Sequence, residues 1–94
     1  DMLLNPTLAH PVPPIGYIGP DVSFEEAFER VRNYVVFTPL QNVSGAPAIT
    51  LPMGFCPNGL PLGVQFGAAY GRERELLELA FELEEARPWP QIWQ

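Results

Sequence analysis

The 94 residues carry 11 acidic and 5 basic side chains, a formal net charge of −6, and 47% of them are apolar. A chain this long forms one domain at most and buries roughly 60–65% of its unfolded surface, a thin margin for strands that are apolar on both faces. All five basic residues are arginines on or beside acidic helices, which excludes the basic patch of a nucleic-acid binder. No apolar run reaches the ~18 residues of a membrane-spanning helix. The single cysteine, Cys56, excludes an internal disulfide and fits a reducing compartment, so a cytoplasmic protein is expected. No basic-then-apolar leader opens the chain, and Asp1 in place of Met reads as the start of a segment of something longer.

Met2 to Leu4 reads as a short apolar strand that Asn5-Pro6 ends. A proline-rich loop follows, Thr7 to Pro20, too stiff for helix or central strand. It covers the surface of a larger body or lines a pocket. Ser23 to about Val35 is the clearest helix. Ser23 with Glu26 three residues on forms a capping box, and Phe24, Ala27, Phe28, Val31 and Val35 share one apolar face. Glu25, Glu26, Glu29, Arg30 and Arg32 read as a solvated face, with Glu26 and Arg30 paired one turn apart.

Leu40 to Val43 fits one helical turn, stopped at Gly45, because glycine enters the left-handed conformation without penalty. Pro47 to Phe55 and Pro61 to Ala69 are the arms of a hairpin around Asn58-Gly59, a type I′ signal. Val64, Phe66 and Ala68 point one way, and Gly63, Gln65 and Gly67 the other. The two glycines leave room for close approach by another backbone or a helix. Pro52 cannot donate to a ladder, so the first arm is an edge strand or is bulged there. The last helix runs from about Glu73 to Ala86, with Leu76, Leu77, Ala80, Phe81 and Leu83 as its stripe and Pro88 as its stop. Trp89 and Trp93 tuck against the body or form a partner surface.

Phe37-Thr38, Asn42, Gly45-Ala46-Pro47, Pro52, Gly59-Leu60-Pro61, Gly63 and Gln65 precede a leucine-rich helix, and Leu3-Leu4-Asn5-Pro6-Thr7 opens the chain. In this order they resemble the C-terminal part of the amidase signature family. Asn5 departs from the threonine usual there. The resemblance implies an α/β fold: a strand, a capped helix, the hairpin (about 47–55 and 61–69) and a C-terminal helix that belong to a larger mixed sheet covered by helices. Residues 1–94 would be the C-terminal segment of a single amidase domain, not a complete domain.

The resemblance also implies hydrolysis of carboxamide C–N bonds by a serine nucleophile, a second serine in a cis peptide and a lysine base. The chain has no lysine, and its serines, Ser23 and Ser44, read as a helix cap and a turn residue. Serine needs an adjacent base to become a nucleophile, so no catalytic residue is expected here, and the segment alone should be inactive. One histidine and one cysteine without ligand spacing give no metal site, and no cofactor is implied. Cys56 reads as a bystander with no nearby cation to activate it.

What remains is the substrate pocket. Phe37, Thr38 and Asn42, on the turn into the Pro47 strand, are the candidate substrate-binding residues. Phe37 would be an apolar wall, and Asn42 caps its own turn or orients a polar group. Members that deamidate glutamine for tRNA charging carry an acidic residue two positions before the Phe-Thr pair; here it is Val35, which points to a more apolar substrate. The partners implied are a small-molecule amide and the rest of an amidase chain, with a homodimer compatible with the exposed strands. The alternatives are an inactive relic or interaction module, and the A subunit of a tRNA-dependent amidotransferase.

Overall fold

The structure is a computed structural model that describes residues 1–91; Trp93 lies outside the described residues. Six elements follow one another: β1 (Leu3–Pro6), α1 (Phe24–Tyr34), α2 (Pro39–Ser44), β2 (Ala48–Phe55), β3 (Pro61–Gly67) and α3 (Glu73–Ala86). The strands form one antiparallel sheet in the order β1-β3-β2. Both outer strands end at open edges.

Pairing register sets what each face carries, because residues opposite one another share a face. Asn5, Gln65 and Thr50 form one row, beside Leu3, Gly67 and Ala48. The other face carries Leu4, Phe66 and Ile49, then Pro6, Val64 and Leu51. One face is thus polar at its centre and the other apolar. α3 packs on β2 at the apolar face and contributes Leu76, which is 3% exposed. Leu76, Leu51 and Cys56 are the buried apolar residues among those described, so the core is small.

Several local expectations hold. Ser23 caps α1, its Oγ accepting from the Glu26 N–H at 3.3 Å. The reciprocal half of the capping box is absent, because the Glu26 carboxylate instead accepts from Arg30 at 2.6 Å. Gly45 ends α2 at φ 73°. Both readings of Pro52 are realised: β2 is an edge strand, and its register slips between Pro52 and Gly54.

Three expectations are corrected. Asn5-Pro6 does not end β1, because both residues pair with β3; an edge strand tolerates a proline whose missing N–H faces away from its neighbour. The hairpin turn is not type I′. Among the described residues only glycines have positive φ, so Asn58 cannot occupy a type I′ position. Gly59 N–H donates to the Cys56 carbonyl at 2.9 Å and Cys56 N–H to the Leu60 carbonyl at 2.7 Å, with Gly59 at φ 85°. That is a three-residue loop, a Pro57-led turn closed by a left-handed glycine. Arg30 does not simply face water: half-buried, it donates to the Tyr17 carbonyl at 2.5 Å and lies 4.3 Å over the Tyr17 ring.

α1 has no extensive packing against any strand or helix. The proline-rich loop holds it, through Arg30 and through Ala9 N–H, which donates to the Tyr34 carbonyl at 3.0 Å. Its apolar stripe consequently stays open, with Phe24 77% and Phe28 57% exposed. The molecule is a plate of 42 × 35 × 19 Å with a radius of gyration of 15.3 Å, against roughly 12 Å for a compact domain of this length. It exposes 7057 Å², where a compact monomer of this mass exposes roughly 5,400 Å².

The excess surface is about twice what one partner contributes to a standard protein–protein interface. Alone, the chain is expected to self-associate at micromolar concentration and to bind a hydrophobic dye. Sedimentation velocity checks this, and a monomer that binds no dye would contradict it. A Cβ on Gly63 would stand 2.8 Å from both Thr50 Cγ2 and Thr7 Oγ1. Gly63→Ala should therefore cost about 1–3 kcal/mol. Thr50→Ser, which deletes Cγ2 and keeps the hydroxyl, should recover part of that loss in urea titrations at fixed protein concentration.

Candidate functional site

The polar face of β3 is built around two missing side chains. Gly63 has Thr7 and Thr50 leaning over it, and the Thr7 hydroxyl donates to Thr50 Oγ1 across it at 3.3 Å. A Cβ on Gly67 would meet Gln41 Nε2 at 3.2 Å, so that glycine admits α2 to the sheet. Between them stands Gln65, only 3% exposed, whose Nε2 donates to Gln41 Oε1 at 3.2 Å. Burial of a carboxamide is tolerated only when it is hydrogen-bonded, and Gln41 meets that need. Asn5, opposite Gln65 in the register, keeps its Oδ1 buried with no hydrogen-bond partner.

The sequence-derived trio lies at the head of α2. Phe37 and Thr38 are half-buried, and Asn42 is exposed. Thr38 is the residue before α2, its side chain making no capping bond, and its carbonyl accepts from Asn42 N–H at 3.5 Å. Among the described residues the Asn42 side chain makes no hydrogen bond. The inward-turned side chain of α2 is its neighbour, Gln41. Sequence reading missed Gln41 because a glutamine in a short helical turn looks like surface. The signal available was Gly67, whose vacancy requires something to fill it.

A second grouping joins the loop to the hairpin. Thr7, His10, Tyr34, Thr50, Pro61 and Gly63 line a cleft of about 180 Å³. His10 stacks on Tyr34 with ring centroids 4.5 Å apart, and its Nδ1 stands 2.8 Å from the Pro11 carbonyl. The proline-rich loop therefore does line a pocket. His10 is engaged by Tyr34 and Pro11. Cys56 is buried beside the tip of the hairpin, where it closes the three-residue loop. Among the described residues no cluster of His, Cys, Asp or Glu could hold a metal ion, and no helix is long and apolar enough to cross a membrane.

The two serines spend their hydroxyls on backbone: Ser23 Oγ accepts from Glu26 N–H, and Ser44 Oγ from Ala46 N–H at 3.2 Å. Among the described residues neither hydroxyl is hydrogen-bonded to a side-chain base. The described residues thus offer walls, hydroxyls and carboxamides, the parts of a pocket rather than of a nucleophilic centre.

Residues 1–77 match the sequence profile of the amidase family. The chain is 52% identical over 92 residues to a protein designated amidase AmiC in Mycobacterium leprae (strain TN), covering 98% of this chain and 19% of that one. It is 42% identical over 95 residues to the 6-aminohexanoate-cyclic-dimer hydrolase of Paenarthrobacter ureafaciens, covering 95% of this chain and 19% of the enzyme. A structure of 6-aminohexanoate cyclic dimer hydrolase complexed with substrate superimposes with a TM-score of 0.80 at 39% identity, over 95% of this chain and 20% of that one. The chain spans about a fifth of the length of these relatives. The profile matches residues 1–77, the sequence aligns over 98% of the chain and the superposition covers 95% of it, and this chain belongs to the amidase family.

Proposed function

We propose that this chain is the C-terminal part of an amidase that hydrolyses carboxamide C–N bonds. The nucleophilic serine, the serine of the cis peptide and the lysine base belong to the part of the enzyme that precedes it. The observation that carries this reading is the superposition on a substrate-complexed cyclic-amide hydrolase, by a chain with no lysine and with both serine hydroxyls bonded to backbone. In this reading the three-stranded sheet extends at its open edges into a larger mixed sheet. The partner of the plate is then the remainder of the amidase, and the compartment is the cytoplasm.

The chain's part in the reaction is placement. Amide hydrolysis needs the carbonyl carbon held at attack distance from an activated nucleophile, and positioning contributes much of the rate. Half-buried Phe37 supplies an apolar wall and Thr38 a hydroxyl at the head of α2, with exposed Asn42 one turn on. Val35, where a carboxylate would hold a substrate amino group, favours an apolar substrate over the glutamine that an amidotransferase A subunit deamidates.

The test is a chimera in which these 94 residues replace the matching fifth of the Paenarthrobacter hydrolase. It is expected to fold as a unit and hydrolyse an amide, while the 94-residue chain alone does not. In the chimera Phe37→Ala should raise KM about tenfold with little change in kcat, the behaviour of a lost apolar wall. Amide hydrolysis by the isolated chain, abolished by Ser44→Ala, would overturn the proposal. A folded chimera indifferent to Phe37→Ala would remove Phe37 from the site.

A further inference from the structure

The tip of the hairpin has no part in the reading above. Pro57, Asn58 and Gly59 form its loop, and all are exposed. We propose that Asn58 is a site of uncatalysed covalent modification. Its side chain deamidates onto Gly59, the folded loop holds that reaction back, and the product opens the loop and uncovers Cys56. The proposal does not depend on the chain's role in an amidase.

The reacting atoms are neighbours in sequence. The Gly59 backbone nitrogen loses its proton and attacks Asn58 Cγ. A C–N bond forms there, the bond from Cγ to the side-chain nitrogen breaks, and ammonia leaves with the proton. Water then opens the cyclic imide. Attack on Cγ leaves aspartate, and attack on the main-chain carbonyl leaves isoaspartate, whose backbone runs through the side chain. Water is the only co-reactant. Glycine leaves the attacking nitrogen unhindered, with nothing within 4 Å of where a Cβ on Gly59 would stand.

The chain carries its own controls, since it has four asparagines. Asn5 precedes Pro6, whose nitrogen has no proton to lose. Asn33 and Asn42 lie within α1 and α2 and precede bulky Tyr34 and β-branched Val43. Helical N–H groups are committed to carbonyls one turn back. Asn58 alone combines a loop with a following glycine.

The loop restrains both reacting groups. Gly59 N–H donates to the Cys56 carbonyl at 2.9 Å, and Asn58 Oδ1 accepts from Leu60 N–H at 3.2 Å. The first bond must break before the nitrogen loses its proton, and the second before Cγ turns to meet it. Exposed bonds of this kind are individually weak and loop tips open readily, so folding slows the reaction about tenfold or more without stopping it. Isoaspartate adds a carbon to the main chain of a loop closed by Cys56 N–H to the Leu60 carbonyl at 2.7 Å. Loss of that closure uncovers Cys56, which is 6% exposed.

The test is incubation of the chain at mildly alkaline pH, native and in urea, followed by peptide mapping with mass detection. Conversion should concentrate at Asn58, rise with pH and run about tenfold or more faster in urea. In urea, where folding plays no part, Gly59→Val should all but abolish it. Returned to native buffer, the isoaspartate form should react faster with a maleimide at Cys56 than the unmodified chain does, and Asn58→Asp, which keeps the normal backbone, should not. Equal conversion at Asn33 or Asn42, equal rates with and without urea, or a Cys56 no more reactive in the isoaspartate form would overturn the proposal. An amidase chimera without activity would leave it standing.

Discussion

Much of this chain depends on two side chains that β3 does not have. On the polar face of that central strand Gly63 and Gly67 flank Gln65. The vacancy at Gly63 lets Thr7 from the loop and Thr50 from β2 meet over the strand. The vacancy at Gly67 lets α2 come close enough for Gln41 to satisfy the buried Gln65 carboxamide. Fill either position and the contact above it must move, since interiors absorb even one methyl group poorly. The loop, the helical turn and the sheet are thus tied together by hydrogen bonds that only glycine leaves room for.

The same arrangement explains why the chain makes a plate rather than a globule. A sheet has two faces, and a domain is stable when each is covered by another layer. Here α3 covers part of the apolar face and α2 part of the polar one, while α1 hangs on the proline-rich loop with its phenylalanines outward. Alternating sequence and amphipathic helices give each element a correct inner side, yet too few elements are present to use them all. Close kinship over only a fifth of the relatives' length matches that imbalance.

The elements were legible in the sequence because each rests on local chemistry. Ser23 stops the backbone short of helix and caps it, Gly45 ends α2, and the stripe from Glu73 to Ala86 has helical period. Family membership was legible too, from glycines, prolines and asparagines whose spacing reflects backbone shape. The hairpin turn was misread because Asn58-Gly59 serves two turn types, and Pro57 decided between them by fixing the first central φ. Strand length at Asn5-Pro6 was misread because edge position, which tolerates proline, is a property of the sheet and not of the dipeptide. The Gln41–Gln65 pair and the cleft were invisible for a similar reason. Their members stand 24 residues apart in one case and 43 in the other, and only the register of β1 and β2 on β3 brings them together.

The central claim is that these 94 residues are one layer of a larger amidase body, and amide hydrogen exchange tests it most directly. Exchange would be followed residue by residue in the chain alone and in the chain joined to the remaining four-fifths of a family member. Alone, the β3 amides should be the slowest, with α1 and the outer edges of β1 and β2 exchanging fast. Joined, α1 and both edges should become as protected as β3. Equal protection of α1 in the two states would contradict the claim and show that the plate is complete by itself.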